Sequence, residues 1–243
     1  MRDFKRLVEQ TADGSNTLYI PELDEHYHST NGAVVEANHV YLEAGLRHQM
    51  QQQAGALSVL EVGFGTGLNA FLSLLEAEKS QRSVVYTTLE LYPLSLDLVS
   101  QMCYVDQVWS FEAYRAVDVL KAYWQQWYEA MHAAPWGEPI AITPYFTLVK
   151  KQLDLTKEEI EGAFDVVYYD AFGPDKQPEM WSDEVIARVC RCMNPLSVVT
   201  TYCAKGVVRR GIQQQGFVME RLPGPPGKRE MLRGTKLIVP PNQ

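Results

Sequence analysis

The feature that most constrains the fold is a glycine-rich turn, residues 63–67, between a short apolar run and an amphipathic helix. Residues 57–62, LSVLEV, have the length and composition of a buried strand. Beyond the turn, Leu68, Phe71 and Leu72 share one face of a helix. A strand, a tight turn and a helix in this order place a ligand at the carboxyl end of the strand.

The alternation of strands and helices continues along the 243 residues of the chain. Further strands are expected over 83–91, 145–155, 164–170 and 196–203, and helices over 33–44, 93–103, 118–132, 181–193 and 208–215. Gly45 is expected to cap the first of these helices at its C-terminus, Pro93 to lie in a first helical turn, and Ser182 to be an N-cap.

This order of elements predicts an α/β fold with a mostly parallel sheet. The last segment, 217–239, reads as a hairpin, which suits an antiparallel addition at the sheet edge. No linker interrupts the chain. We expect one domain over 49–243, with residues 1–48 as a small N-terminal extension that packs on it as a lid.

The spacing of the glycines indicates which ligand the turn holds. A dinucleotide fingerprint needs its third glycine at position 68, which is Leu68, and no Lys-Ser/Thr pair follows to grip a phosphate. The pattern E-x-G-x-G-x-G, with Glu61 in front and glycines at 63, 65 and 67, suits S-adenosylmethionine. Glu90 ends the second strand, where a carboxylate accepts both ribose hydroxyls. The alternative is a turn that serves only strand–helix packing.

A sulfonium is a cation, so acidic groups and aromatic faces stabilise it. The candidates near the expected strand ends are Glu61, Phe64, Glu90, Asp154, Phe172 and Trp181. Asp154 fits a helix N-cap before Leu155 equally well.

Asp170 raises a separate question, because a buried strand here ends on a carboxylate that aromatic and proline residues follow. A carboxylate beside the donor can hold a substrate ammonium and accept its proton before methylation. Phe172, Pro174 and Trp181 are then candidates to wall the site and stack on a planar base. The alternative is an Asx-type turn before Gly173.

Charge restricts the partners. The net charge of −8 argues against a general nucleic-acid binder, but residues 201–236 hold eight basic and two acidic side chains. Lys205, Arg209, Arg210, Lys228 and Arg229 are candidates to hold phosphates, or else they form a solvated basic edge.

Location and metal chemistry follow from what the sequence lacks. The chain starts without an apolar signal region and has no apolar run long enough to cross a bilayer, so we expect a soluble, cytoplasmic protein. His26 and His28 have no third ligand beside them, and we expect no metal site.

Five segments of the chain resemble segments of one known family and occur in the same order as in that family. They are LDEHYHSTNGAVVEANHVYL (23–42), LEVGFGTGLNAF (60–71), YYDAFGPDKQPEMW (168–181), VRRGIQQQGF (208–217) and GKREML (227–232). The chain resembles the methyltransferases that complete 5-methylaminomethyl-2-thiouridine at the tRNA wobble position. That unit occurs alone (MnmD) or as the N-terminal half of a two-domain enzyme (MnmC).

The resemblance implies a class I, Rossmann-like methyltransferase fold with S-adenosylmethionine as donor. The acceptor it implies is the primary amine of 5-aminomethyl-2-thiouridine in the anticodon loop, which depends on upstream enzymes that form this group. By the same resemblance, Asp170 is the catalytic acid, residues 27–32 from Tyr27 onward and Glu36 form the lid, and a further set of residues forms the cofactor pocket: Glu61, Gly63, Gly65, Gly67, Asn69 and Glu90.

Two departures from the family and three rival functions accompany this interpretation. No flavin-binding second domain follows, so we do not expect the chain to perform the oxidative step, and the aromatic-rich insertion at 121–145 has no place in the family pattern. The rivals are an aminopropyltransferase, with Asp175 as a second acid, a small-molecule or protein amine methyltransferase, and a non-catalytic S-adenosylmethionine-sensing or RNA-binding module.

Overall fold

The computed structural model describes residues 4–115 and 121–238, and within them two sheets. A small antiparallel sheet comes first along the chain, with strands β1 (Leu7–Gln10), β2 (Asn16–Ile20) and β3 (Glu25–His26). The strands of the second, eight-stranded sheet are β4 (Leu57–Val62), β5 (Val84–Glu90), β6 (Pro139–Thr143), β7 (Phe146–Gln152), β8 (Phe164–Tyr169), β9 (Met193–Thr201), β10 (Phe217–Pro223) and β11 (Glu230–Lys236).

Helices connect and cover these strands. They are α1 (Ala33–Ala37), α2 (His48–Gln52), α3 (Leu68–Ser80), α4 (Leu96–Ser100), α5 (Tyr104–Ser110), α6 (Glu112–Arg115), α7 (Lys121–Ala133), α8 (Asp183–Arg191) and α9 (Gly206–Gln214). A π-helical segment, Asn38–Arg47, joins α1 to α2, and a 3₁₀ turn, Pro178–Trp181, precedes α8.

The large sheet has the order β10-β11-β9-β8-β4-β5-β7-β6. The pairs from β9 through β8, β4 and β5 to β7 are parallel, while β11 and β10 add antiparallel strands at one edge and β6 at the other. The predicted α/β fold and the C-terminal hairpin are confirmed. Because the inner strands are parallel, their carboxyl ends meet along one side of the sheet.

The expected C-cap at Gly45 is wrong, since the helix continues past it through Arg47 and into α2. Gly45 is buried, and a Cβ there would lie 3.0 Å from the Tyr168 ring and 3.3 Å from Thr200 Oγ1. The glycine therefore lets the helix lie close against β8 and β9. The prediction that Pro93 lies in the first turn of a helix is also wrong, because α4 begins at Leu96 and the side chain of Ser95 caps it.

Ser182 is an N-cap as predicted, and its hydroxyl accepts the N–H of Val185. The aromatic insertion folds into α7 and β6, and β6 was not predicted. Residues 118–120, with which the predicted helix starts, lie outside the described residues.

The N-terminal sheet packs over the carboxyl ends of the large sheet. The predicted boundary at 48/49 falls inside the continuous helical run from α1 to α2. The division into a lid and a core therefore stays a prediction. Among the described residues, no helix combines the length and apolarity that crossing a bilayer requires.

Candidate active site

A cavity of about 300 Å³ lies at the carboxyl ends of β4, β5, β7 and β8, beneath the N-terminal sheet. Its volume is within the range of small-molecule sites. Predicted site residues form much of its wall: Tyr27, Gly63, Phe64, Gly65, Asn69, Glu90, Asp154, Asp170 and Phe172.

The glycine turn shapes the floor of this cavity. Gly63 has a φ of +95°, and a Cβ there would lie 3.0 Å from the carbonyl oxygen of Asp170. Gly65 has a φ of +49°, and a Cβ there would lie 3.0 Å from the Tyr27 ring. Side chains at these positions would be strained by the positive φ and would crowd the Asp170 carbonyl and the Tyr27 ring.

Asp170 follows β8 and faces the same cavity. Its Oδ1 accepts a hydrogen bond from the Tyr41 hydroxyl at 2.5 Å, and its Oδ2 accepts one from Asn69 Nδ2 at 2.8 Å. Burial raises the pKa of the carboxyl to about 7, against the opposing effect of these two hydrogen bonds. The carboxylate is therefore a stronger base than an exposed aspartate and is held in a fixed orientation.

Two further acids line the wall. Glu90 accepts the Gly65 N–H at 3.0 Å and the Tyr92 N–H at 2.8 Å, so it braces the turn from the end of β5. Asp154 accepts the N–H and the hydroxyl of Thr156, and its ion pair with Lys157 lowers its pKa. The expected helix N-cap at Asp154 is wrong, because the residues that follow form a turn and not a helix. Asp154 does lie in the cavity wall.

Glu61 and Gly67 were also predicted for the cofactor pocket, but they lie behind the wall. The side chain of Glu61 is 1% exposed and accepts a hydrogen bond from the Thr88 hydroxyl at 2.7 Å. Burial raises the pKa of Glu61 well above its usual value. Gly67 packs against His132. The spacing of the motif fixes the turn but not the side of it that each residue faces.

The predicted aromatic wall is only partly formed. Phe172 lines the cavity and meets the edge of the Tyr27 ring, with ring centroids 5.2 Å apart. Trp181 is buried away from the cavity, where it stacks on Tyr169 and donates its Nε1–H to the Phe172 carbonyl at 2.7 Å. Pro174 is outside the lining as well. Trp181 thus holds the loop after β8 in place instead of stacking on a ligand.

The basic residues divide into paired and unpaired groups. Lys205 pairs with Asp175 on the surface, which also places the second acid expected of an aminopropyltransferase outside the cavity. Lys228 donates to buried Glu36 at 2.6 Å and lies 3.9 Å above the Tyr202 ring. In the described part of the chain, Arg209, Arg210 and Arg229 form no ion pair, and the latter two are exposed.

Sequence reasoning missed Tyr41 as a partner of Asp170. It belongs to the π-helical segment, 129 positions earlier in the chain, and its own pKa is raised well above the usual value by burial. The only available signal was its place in the apolar pattern of that helix, which predicts a core residue.

The wall has the chemistry that a sulfonium donor requires. Asp170, Glu90 and Asp154 supply negative charge, while Tyr27 and Phe172 supply aromatic faces. Asn69 is 2% exposed, and its Oδ1 is a buried acceptor without a hydrogen-bond partner among the described residues. No cluster of metal-binding side chains occurs within residues 4–115 and 121–238.

Comparison with known proteins gives a family match. The sequence profile of a family described as S-adenosyl-L-methionine-dependent methyltransferase matches residues 113–237, just over half of the chain. The match includes Asp170 but not the glycine turn.

Longer relatives match over most of the chain. The tRNA 5-methylaminomethyl-2-thiouridine biosynthesis bifunctional protein MnmC of Pseudomonas syringae is 30% identical over 226 residues, 90% of this chain. The protein of the same name from Chromohalobacter salexigens is 28% identical over 95% of this chain. The chain spans about a third of the length of these relatives, 33% and 32%.

Solved structures share the fold. The crystal structure of MNMC2 from Aquifex aeolicus superposes with a TM-score of 0.74 at 22% identity, over 100% of this chain and 74% of that one. Spermidine synthase from Thermotoga maritima gives a TM-score of 0.52 at 13% identity, over 97% of this chain and 75% of that one.

Proposed function

The chain belongs to the S-adenosyl-L-methionine-dependent methyltransferases, and from that premise we propose that it methylates the aminomethyl group of 5-aminomethyl-2-thiouridine at the tRNA wobble position. The product is 5-methylaminomethyl-2-thiouridine. Similarity to the MnmC proteins along 90% of the chain supports this acceptor. The proposal includes a cytoplasmic enzyme and dependence on upstream enzymes that form the aminomethyl group.

The observation that carries the proposal is the placement of Asp170. Its carboxylate closes β8, faces the glycine-lined cavity and has both oxygens held by neutral donors rather than by a lysine or arginine. A carboxylate without a cationic partner is available for a substrate cation. An alkylammonium is such a cation, since free alkylamines are protonated near pH 7.

The chemistry follows from this placement. Asp170 first holds the substrate ammonium and then accepts one of its protons, which leaves a neutral amine with a free lone pair. S-adenosylmethionine supplies the methyl group as an activated sulfonium. The nitrogen–carbon bond forms as the carbon–sulfur bond breaks, and the product leaves as a secondary ammonium. A pKa of about 7 suits Asp170 to this exchange because a substantial fraction is ionised at neutral pH and the carboxylate is a stronger base than an ordinary aspartate.

Recognition of tRNA is assigned to the basic residues that keep no acidic partner. Anticodon-loop bases are already single-stranded, so a wobble base enters a pocket at small energetic cost. Arg209, Arg210 and Arg229 are proposed to hold the neighbouring phosphates. Phe172 and Tyr27 are proposed to bound the space that the donor occupies.

The test compares acceptors with one labelled donor. Purified protein should transfer label to tRNA that carries 5-aminomethyl-2-thiouridine and not to the same tRNA lacking the aminomethyl group. Decarboxylated donor with putrescine tests the aminopropyltransferase alternative and should yield no polyamine. Polyamine formation, or label on a small amine or protein but not on tRNA, would replace the proposed function.

A further inference from the structure

Thr66, between the second and third glycines of the turn, is a meeting point for hydrogen bonds from three separate segments. Its carbonyl oxygen accepts the Tyr128 hydroxyl at 2.8 Å and lies 3.2 Å from His132 Nε2. Its hydroxyl accepts the Tyr104 hydroxyl at 3.1 Å and lies 3.0 Å from His28 Nε2. Thr66 is 1% exposed, so these contacts satisfy groups that water does not reach.

Two of these four side chains come from α7, in the aromatic insertion that the proposed function leaves without a role. Tyr128 and His132 lie one turn apart on α7 and share the same carbonyl, which has room for two donors. Burial lowers the pKa of His132 to about 3, so the ring is neutral at pH 7. A neutral ring that bonds to a carbonyl must carry its proton on Nε2.

The insertion also presses directly on the turn. Gly67 has a φ of +74°, and a Cβ there would lie 2.6 Å from His132 Nε2. The Phe64 and His132 rings are 5.0 Å apart between centroids. Since Phe64 lines the cavity and His132 lies behind it, α7 supports the turn on the face opposite to the ligand.

α7 itself is held in place from beneath. Lys150 on β7 is 1% exposed and donates to the His132 carbonyl at 2.7 Å, where its charge meets the negative end of the helix. The Lys150 ammonium also lies 4.8 Å from the Trp136 ring centroid. On the other side, the Tyr128 ring packs 5.3 Å from Phe71 of α3. The helix therefore has little freedom to move relative to the turn.

We propose that α7 is a positioning element for the cofactor turn, in which Tyr128 and His132 hold Thr66 so that the turn is already shaped for the donor. A turn that is ordered before binding loses less entropy when the ligand arrives, and this raises affinity. The proposal concerns the donor site and stands whether or not tRNA is the acceptor.

The first test removes one hydroxyl. Tyr128→Phe should weaken binding of S-adenosylmethionine and S-adenosylhomocysteine by about 5- to 30-fold in isothermal titration calorimetry. Tyr114→Phe is the matched control, because it removes a buried hydroxyl that bonds to Asn38 and not to the turn. Both variants should lose similar stability, and only the first should lose affinity. Equal affinities of the two variants would overturn the proposal.

The second test uses His132, so the proposal stays testable if Tyr128→Phe does not fold. His132→Gln keeps a donor close to the position of Nε2 and should bind donor nearly as the natural protein does. His132→Leu lacks it and should bind several-fold more weakly, with faster amide hydrogen exchange at 63–71 in the free protein. If the two variants bind equally, or if exchange in the turn is unchanged in His132→Leu, the turn does not depend on α7.

Discussion

At Asp170, the burial that makes the carboxylate a better base also makes its ionisation unfavourable. Burial raises its pKa to about 7, and the hydrogen bonds from Tyr41 and Asn69 limit that rise. The two donors also fix the carboxylate plane. Catalysis by such a group depends on a balance, because a higher pKa gives a stronger base but a smaller ionised fraction at neutral pH.

The balance at Asp170 predicts the effect of Tyr41→Phe. The group must be ionised to act as a base, so kcat/KM of the natural protein should rise with pH through about 7. Without the Tyr41 hydrogen bond the pKa of Asp170 rises, and this limb should move up by about one pH unit. Tyr114→Phe should leave the profile in place. If the rise of kcat/KM in Tyr41→Phe stays at the same pH or moves to lower pH, the Tyr41 hydrogen bond does not set the pKa of Asp170.

Sequence reasoning located Asp170 and much of the cavity wall, but not the hydrogen bond from Tyr41. A carboxylate at a strand end beside a glycine turn is visible in a local pattern, because both belong to neighbouring parallel strands. The Tyr41 hydroxyl donates to Asp170 from 129 positions away, and the Tyr128 hydroxyl donates to the Thr66 carbonyl from 62 positions away. Contacts of this kind depend on how helices pack on the sheet, which a single sequence does not record.

Among the elements, the π-helical segment Asn38–Arg47 has a special role, since it carries Tyr41 to Asp170 and crosses β8 and β9 at Gly45. π-Helical turns are rare and often occur at functional sites. Local pattern predicted this helix but ended it at Gly45, because glycine is the usual C-cap. Only the distance to Tyr168 reveals that glycine is present here for close packing.

Substitutions at Gly45 test that interpretation. Gly45→Ala gains helix propensity of about 1 kcal/mol, but its Cβ meets the buried Tyr168 ring at 3.0 Å. Overpacking should dominate and lower the free energy of unfolding by about 1–3 kcal/mol in urea denaturation. Gly45→Asn, which a left-handed cap tolerates, should lose more than Gly45→Ala. If Gly45→Asn loses less stability than Gly45→Ala, Gly45 acts as a C-cap after all.

The basic C-terminal elements predict a contrast between two surface residues. Arg210 on α9 is exposed and, within the described ranges, has no acidic partner, whereas Lys205 pairs with Asp175. Arg210→Ala should weaken tRNA binding for all sequences and reduce the slope of log K against log salt by about one. Lys205→Ala should change both less. Equal effects, measured by filter binding across a salt series, would contradict a role of unpaired cations.

For the whole molecule, the ionised form of Asp170 that the proposed function requires lowers the free energy of unfolding. The folded-state pKa of Asp170, about 7, lies above its ordinary value of 3.8. A raised carboxyl pKa means that the folded protein binds a proton more tightly than the unfolded chain does. Its stability therefore falls as pH rises from about 4 to about 7.

Asp170→Asn should accordingly stabilise the protein at pH 8, by about 1–3 kcal/mol in urea denaturation. The gain should shrink as pH falls and be nearly absent below about pH 4, where the natural carboxyl becomes protonated in the unfolded chain as well as in the folded protein. The substituted amide can keep the Tyr41 bond, and Asn69 can turn its unpartnered Oδ1 toward the new N–H. A loss of stability at pH 8 would show that the ionised carboxylate is not disfavoured in the fold.

The architecture as a whole was predictable, because strand and helix periods are local and parallel topology follows from their alternation. The strand β6 and the packing position of α7 could not be predicted, since they depend on the contacts of the insertion with β7 and with the glycine turn. Packing also determines that Glu61 and Trp181 face away from the cavity, and the spacing of residues in the sequence motifs does not record this.

The most direct measurement is a mass spectrum of wobble nucleosides after single-turnover reaction with tRNA that carries 5-aminomethyl-2-thiouridine. The natural protein should convert that nucleoside to the form with one added methyl group. Asp170→Asn, which should remain folded and bind donor, should be slower by at least about 100-fold. Full-rate conversion by Asp170→Asn, or no added methyl with the natural protein, would contradict the account.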